Sequence, residues 1–341
     1  MKKNYYTLFV LLLLLVSCKK GDGPNPVLLE AGEPNSGELS NVILKDYFII
    51  SIAFDKSGVV WLGTLNQGLI KYDRKTATVF NSSNSLLTNA SINDIKIDKA
   101  GNIWIGSDDL IKYDGSKFTR YDAKTFGLQK NYVRSILIDK AENIWFSCSS
   151  FKSGGLVKYD GTKFTAFTPE NSKLPGNLIQ SMTIDQKDNI WLAINDGINN
   201  LSLTQISGDQ MTVFGPNEIG FTPYYFGNIV TNKQNELFVS LNYGLSSTIK
   251  TGRPQIFKFN GNKSTILNLP DENAIIYNTQ RIFTDKNDQL WASFSGENDC
   301  GIFIDNQWVF KRLGTEGIFA FGQNAEGEIW LGTGKGVYIL K

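Results

Sequence analysis

Eight side chains able to hold a ligand recur at nearly one register. An aspartate or asparagine repeats along the chain at Asp55, Asp98, Asp139, Asp185, Asn232 and Asp285. Seven or eight residues before it stand Tyr47, Tyr132, Tyr225 and Tyr277, and five before it stand Asn93, Arg134, Gln180 and Gln280. Aromatic faces beside amide and guanidinium donors are the chemistry of a sugar or peptide site. These eight are the candidate ligand-binding residues. The competing role for each aromatic is to pack its loop against the body of the fold, the commoner fate of such side chains.

Catalysis has fewer supports. The chain contains no histidine, which removes the commonest general acid–base group and a major zinc ligand. Ser-His-Asp and Cys-His chemistry are therefore closed to this chain. Loop acids remain at Asp108, Asp109, Asp196, Glu297 and Asp299. Glycoside hydrolysis needs two carboxyls facing one another across roughly 5–9.5 Å, and spacing alone brings no two of these together. No catalytic residue is assigned, and binding without catalysis is the expected function. A carboxylate-dependent polysaccharide hydrolase or lyase is the alternative. The Asp-x-x-Gly-Asn turns supply oxygens, but one carboxylate per turn is too few for calcium, so neither a metal nor a cofactor is expected. A formal net charge of +1 argues against a nucleic-acid partner, which needs a strong positive field.

The elements that would position the candidates form a repeat. Its first copy runs Ile52-Ala53-Phe54-Asp55, a polar turn to Gly58, Val60-Trp61-Leu62-Gly63-Thr64, a loop, and Gly68-Leu69-Ile70-Lys71-Tyr72-Asp73. The anchor aromatics of successive copies are Trp61, Trp104, Trp145, Trp191, Phe238, Trp291 and Trp330, 39 to 53 residues apart. A period near 40–50 residues with four short strands per unit indicates propeller blades. The expected fold is all-β: a seven-bladed β-propeller with four-stranded antiparallel blades over residues 39–341. Asp114-Gly115, Asp160-Gly161 and Asn260-Gly261 suit tight turns between the third and fourth strands. The tryptophan should fill the space between blades, the aspartate should close an Asx turn, and the glycine after the tryptophan should allow close approach. Cys148 and Cys300 fall in blades 3 and 6, too far apart around a ring for a disulfide, so two buried thiols are expected.

The last copy stops after three strands at Val337-Tyr338-Ile339-Leu340. An open blade would leave unpaired edges, so a strand from residues 26–45 should close the ring. Pro26-Val27-Leu28-Leu29 and Asn41-Val42-Ile43-Leu44 are the two candidates. Ahead of them, Lys2 and Lys3 precede an apolar run from Leu8 to Val16, too short to span a bilayer, which reads as a signal segment. The run ends in Leu15-Val16-Ser17-Cys18, which resembles a lipobox. That resemblance implies removal of residues 1–17, acylation of Cys18 and a lipid anchor holding the protein on a membrane. Residues 18–38, rich in Gly, Pro and charge, form the tether.

The repeated Asp, Gly, Asn-Ile-Trp-Ile-Gly and Leu-Ile-Lys-Tyr-Asp of the second copy (Asp98 to Asp114), with counterparts in the first and last copies, resemble the two-component regulator propeller repeat. The likeness extends over residues 48–341 and is weakest in blade 5. In that family such blades often form the periplasmic sensor half of hybrid kinases that respond to glycans. The kinase and regulator parts are not found in this sequence, so the resemblance implies the fold and ligand binding rather than signalling. It implies a bacterial cell-envelope protein, an outer-membrane lipoprotein facing the periplasm or the outside, with a glycan or protein partner. Streptogramin B lyase has a similar ring, but its chemistry relies on histidine.

Overall fold

Every copy of the repeat folds into a blade whose strands differ in burial as their sequences require. In blade 1 the innermost strand, Ile49–Phe54, alternates between buried and half-buried residues. The second strand, Val60–Thr64, is buried throughout, which explains its uninterrupted apolar run. The third, Leu69–Tyr72, is half-buried, and the outermost, Ala77–Phe80, begins exposed. A computed structural model describes Val27–Leu28 and residues 42–340, apart from 130–131, 150–152, 198–200, 224, 242–254, 268–275, 297–299, 312 and 316. The expected signal segment, Cys18 and nearly all of the expected tether lie outside the described residues.

Seven sheets form the molecule, each built on four antiparallel strands; in blades 1 to 6 these run in sequence order from the centre outward, and in blade 7 the first three do. Every innermost strand touches the next, and Ile318–Gln323 of blade 7 returns to touch Ile49–Phe54 of blade 1, so the ring is closed. Of the two closing candidates, Val42–Ile43 supplies the missing strand of blade 7, pairing antiparallel with Gly336–Leu340 (Val42 opposite Tyr338, Ile43 opposite Val337). Val27–Leu28 instead runs parallel to Gln307–Lys311 and adds a fifth strand at the rim of blade 6.

The core is divided among the blade interfaces. Seven buried apolar clusters each span two adjacent blades, and each contains one of the anchor aromatics. Trp104, for example, meets Tyr159 of blade 3 at 5.9 Å between ring centroids. The glycine that follows fits because nothing larger would: a Cβ on Gly332 would stand 2.7 Å from Ile49 Cγ2 and 3.0 Å from Ile49 O. Cys148 and Cys300 are both buried thiols, and burial pushes that of Cys148 up to about 12.

The repeated aspartate does more than close its turn. Its Oδ1 accepts the backbone N–H four residues on, and in Asp55, Asp185 and Asp285 also the N–H two residues on, the Asx turn. Its Oδ2 accepts the indole Nε1–H, at 2.9 Å in Asp98–Trp104, Asp139–Trp145 and Asp285–Trp291 and 3.3 Å in Asp185–Trp191. In blades 2, 3 and 4 the asparagine four residues on (Asn102, Asn143, Asn189) donates its amide to the same oxygen. Burial alone would raise the Asp98 carboxyl, but the hydrogen bonds from Asn102 and Trp104 outweigh it and hold the group below its usual range. Blades 5 and 7 invert the pair. There Asn232 and Asn324 donate to Glu236 and Glu328, both at 2.7 Å, and Glu328 takes the Trp330 indole at 3.4 Å. Blade 5 is thus degenerate in letters only: the carboxylate has moved four residues, and Phe238 has no N–H to satisfy. Blade 1 has Val59 at that place, and the Trp61 indole nitrogen has no partner among the described residues.

A second set of contacts ties blade to blade beside these turns. Lys56, Lys99 and Lys140 each reach the main-chain carbonyl at the equivalent position of the next blade, at 2.7, 3.1 and 2.8 Å. The backbone N–H groups of Lys99, Lys140, Gln186 and Lys233 donate to Glu142, Asp188, Asn235 and Asp288 of the next blade.

Two outcomes follow for stability. Asp139→Ala strands the buried Trp145 indole and the Asn143 amide, and should cost about 1–3 kcal/mol per orphaned group. Asp55→Ala, which loses turn contacts but no indole bond, should cost clearly less. Equal losses in denaturant melts would remove the indole bond from the account. Truncation through residue 45 should lower the melting temperature by several degrees, and truncation through residue 30 far less. Equal melting of the two truncated chains would contradict closure by Val42–Ile43.

Candidate functional site

The innermost strands carry an irregularity at the place where the sequence put its candidates. In blades 1, 3, 4, 5, 6 and 7 the pairing of first and second strands slips there. In five of them the slip leaves a single residue, five before the anchor Asp or Asn, unpaired: Ile50, Arg134, Gln180, Gln280 and Phe319. Blade 5 skips two, Gly227 and Asn228. Blade 2 does the equivalent: Asp94 pairs with Gly106, and Asn93 N–H also donates to Gly106 O at 2.8 Å. These are β-bulges, which put two successive residues opposite one and turn side chains out of the regular alternation.

The bulges open on a central cavity of about 490 Å³. Ile50, Asn93, Arg134, Gln180 and Phe319 line it. So does the next residue in all seven blades: Ser51, Asp94, Ser135, Ser181, Asn228, Arg281 and Ala320. Four of these seven are Ser or Ala and leave space, which Asp94, Asn228 and Arg281 occupy. Lys96, two residues further in, completes the charged part.

Each polar side chain is held in place. Arg134 Nε donates to Gln180 O of the next blade at 3.0 Å. Gln180 Oε1 accepts the Tyr225 hydroxyl at 3.1 Å. Asn93 Nδ2 donates to Val133 O at 2.9 Å. Arg281 Nη1 donates to Gln280 O at 3.1 Å and Asn228 Oδ1 at 3.3 Å. Asp94 receives Lys96 Nζ at 2.7 Å and the Ile136 N–H at 2.8 Å. Loss of water, with the like charge of Arg134 behind it, pushes the Arg281 guanidinium down to about 10, while Asp94 opposes the shift. Phe48 packs against Phe319 with centroids 4.6 Å apart and the rings tilted by 42°, and Leu65 and Phe319 make an apolar wall.

Tyr132 stands at the rim, 40 % exposed, with φ of 91°. A bulky residue there is strained by about 1–3 kcal/mol. Hydrogen bonds from its N–H to Asp108 O at 2.8 Å and to its carbonyl from Ser149 N at 3.1 Å fix that backbone.

The structure thus gathers Asn93, Tyr132, Arg134 and Gln180 around one cavity, with Tyr225 tied to it through Gln180. It corrects two placements. Tyr47 packs into the cluster of Ile49, Trp330 and Val337 between blades 7 and 1, because the chain crosses there to close the ring. Gln280 is not among the residues that line the cavity; its Oε1 is buried with no partner among the described residues and lies 3.1 Å from where a Cβ on Gly317 would stand. Tyr277 is the second residue of the strand Ile276–Thr284, and its side chain lies outside the described residues. The loop insertions at 243–253 and 297–299, with Glu297 and Asp299, also lie outside them. The other loop acids are engaged elsewhere: buried Asp109 with Arg120 Nε at 2.6 Å, Asp108 with Asn89, Asp196 with the Asn177 N–H. Arg281, Asn228, Asp94 and Lys96 were missed by the sequence reading. For Asp94, Asn228 and Arg281 the signal was present one residue nearer the anchor, at a position whose alternation a bulge disguises.

The molecule is therefore a closed seven-bladed β-propeller with a polar channel mouth. It is related to the two component regulator propeller family, which matches residues 43–66 and 85–109. None of the curated proteins matches the chain in sequence. Among solved structures, it is similar to the extracellular domain of BT3049 from B. thetaiotaomicron, described as belonging to a hybrid two component system (18 % identity, TM-score 0.66). That match covers 86 % of this chain and 39 % of the other. The chain thus spans well under half of such extracellular domains. It is also similar to streptogramin B lyase (17 %, TM-score 0.65, covering 88 % and 95 %). A third similar structure is a catalytically inactive form of virginiamycin B lyase from Staphylococcus aureus with Quinupristin (15 %, TM-score 0.65, covering 87 % and 95 %). The expectation that this chain binds without catalysing is corrected by these lyases: enzymes share its ring over nearly their whole length, so the architecture does not separate it from catalysts.

Proposed function

We propose that the protein is an extracytoplasmic propeller that takes a glycan at its channel mouth and is anchored to the outer membrane through acylated Cys18. One observation carries the reading: bulged residues from different blades aim amides, guanidinium groups and aromatic rings into a single cavity. A confined space of about 490 Å³ suits one or two sugar rings, whereas a protein partner needs a broad surface of about 800 Å². Amides bond hydroxyls and rings cover the sugar's apolar faces. The strain held at Tyr132 is consistent with a residue placed for contact rather than packing.

A second reading, eliminative cleavage of that glycan, is favoured by the lyases that share the ring and by the phenols at the rim. Elimination needs a base to remove a proton beside an electron-withdrawing group while the glycosidic oxygen leaves. A tyrosine near a guanidinium can serve as that base. Hydrolysis by paired carboxylates has less support, since Asp94 is the single acid among the described lining residues and is bound to Lys96.

A glycan panel with the wild type and Tyr132→Gly tests the first reading. Glycine suits φ of 91°, so the variant should melt no lower than the wild type while losing glycan affinity. Binding that survives in the variant, or no binding to any glycan, would overturn the reading. Mass spectrometry of the same mixtures should show chain-end products carrying a new C=C bond if elimination operates; unchanged glycans would rule it out.

A further inference from the structure

The channel holds more positive charge than the fold can use. Lys96, Arg134 and Arg281 line it against one carboxylate, Asp94. Asp94 is already engaged, by Lys96 at 2.7 Å and by the Ile136 N–H. Among the described residues neither arginine has a carboxylate within ion-pair distance. Their hydrogen bonds go to neutral groups: Gln180 O for Arg134, and Gln280 O with Asn228 Oδ1 for Arg281. A guanidinium carries five N–H donors, so among the described residues each has donors not taken up.

Folding does not explain this arrangement. A cation withdrawn from water without a counter-charge costs free energy, and two of them close together cost more. The blades offer a control, because the position of Arg281 is Ser51, Ser135, Ser181 and Ala320 in blades 1, 3, 4 and 7, all in well-formed sheets. A small residue would serve the blade at least as well. The charge therefore points to a ligand that completes it.

We propose that Arg134 and Arg281 together form an anion site that grips the carboxylate of a uronic-acid residue, so that the glycan taken at the mouth is an acidic one. This rests on the reading of the mouth as a glycan site and narrows it. A planar carboxylate accepts parallel hydrogen bonds from a guanidinium fork, stronger than neutral ones. Asn93, Gln180 and Asn228 then face the hydroxyls, and Phe319 with Tyr132 covers the ring. Burial and the Arg134 charge both disfavour the protonated Arg281, and a bound anion would relieve both.

The test is calorimetric titration of the full protein with oligomers of galacturonate, glucuronate and mannuronate. Their methyl esters keep the sugar and remove the charge, and acetate keeps the charge and removes the sugar. At least one free acid should bind, its ester at least about tenfold more weakly (about 1.4 kcal/mol), and affinity should fall with added salt. Arg281→Ser and Arg134→Gln should each lose at least about tenfold in affinity. Arg281→Ser should melt at or above the wild-type temperature, which separates a ligand contact from a structural one. An ester binding as tightly as its acid, or either variant retaining full affinity, would overturn the anion site while leaving the glycan reading standing. Acetate binding as tightly as the oligomers would overturn the saccharide assignment. If acids and esters alike fail to bind, both readings fall.

Discussion

The indole wedged between neighbouring blades and bonded to an aspartate of its own blade is the contact on which the structure depends. The ring side chain fills an interface where packing must be close, and the hydrogen bond fixes which way it faces. Because the same aspartate closes the turn between first and second strands, one carboxylate sets both the hairpin and the inter-blade spacing. The substitutions prove the logic. Where asparagine replaces aspartate, a glutamate four residues on restores the charge. Where phenylalanine replaces tryptophan, no acceptor is needed.

Fixed blades fix the channel. Seven sheets held at a common distance bring their innermost strands to one axis, and bulges near the start of those strands turn side chains into the opening. Most blades place serine or alanine at the facing position, which keeps the space open. Blades 2, 5 and 6 depart from this with Asp94, Asn228 and Arg281, and blade 3 adds Arg134 at its bulge; the charged groups among them are tolerated because the surrounding ring over-determines their positions. The cavity is thus carried mainly by the innermost strands, with Leu65 and Tyr132 drawn from loops.

Much of this was legible in the residues. The spacing of the anchor aromatics sets the number of blades, and each anchor occupies its interface. The gap after Leu340 implied a closing strand; choosing Val42–Ile43 over Val27–Leu28 required seeing that both pair, one at each of two neighbouring blades. The cavity was half legible. Asn93, Arg134 and Gln180 came from a register five residues before the anchor, which is the bulge itself. Arg281 and Asp94 stayed hidden because strict alternation assigns adjacent residues to opposite faces, and a bulge breaks that rule without leaving a mark in the letters. Tyr47 shares a register with true rim residues but belongs to the crossing that closes the ring, a topological fact that no local spacing contains. Nor did the missing histidine separate binding from catalysis, since it excludes particular mechanisms and leaves phenol chemistry open.

Hydrogen exchange of the individual tryptophan indole N–H groups, followed by NMR, tests the central claim most directly. If the wedge is a ring-wide constraint, the indoles of Trp104, Trp145, Trp191 and Trp291 exchange only when the whole propeller unfolds, with one common opening free energy. An indole among these four that exchanges by local opening, far faster than its siblings, would contradict the account.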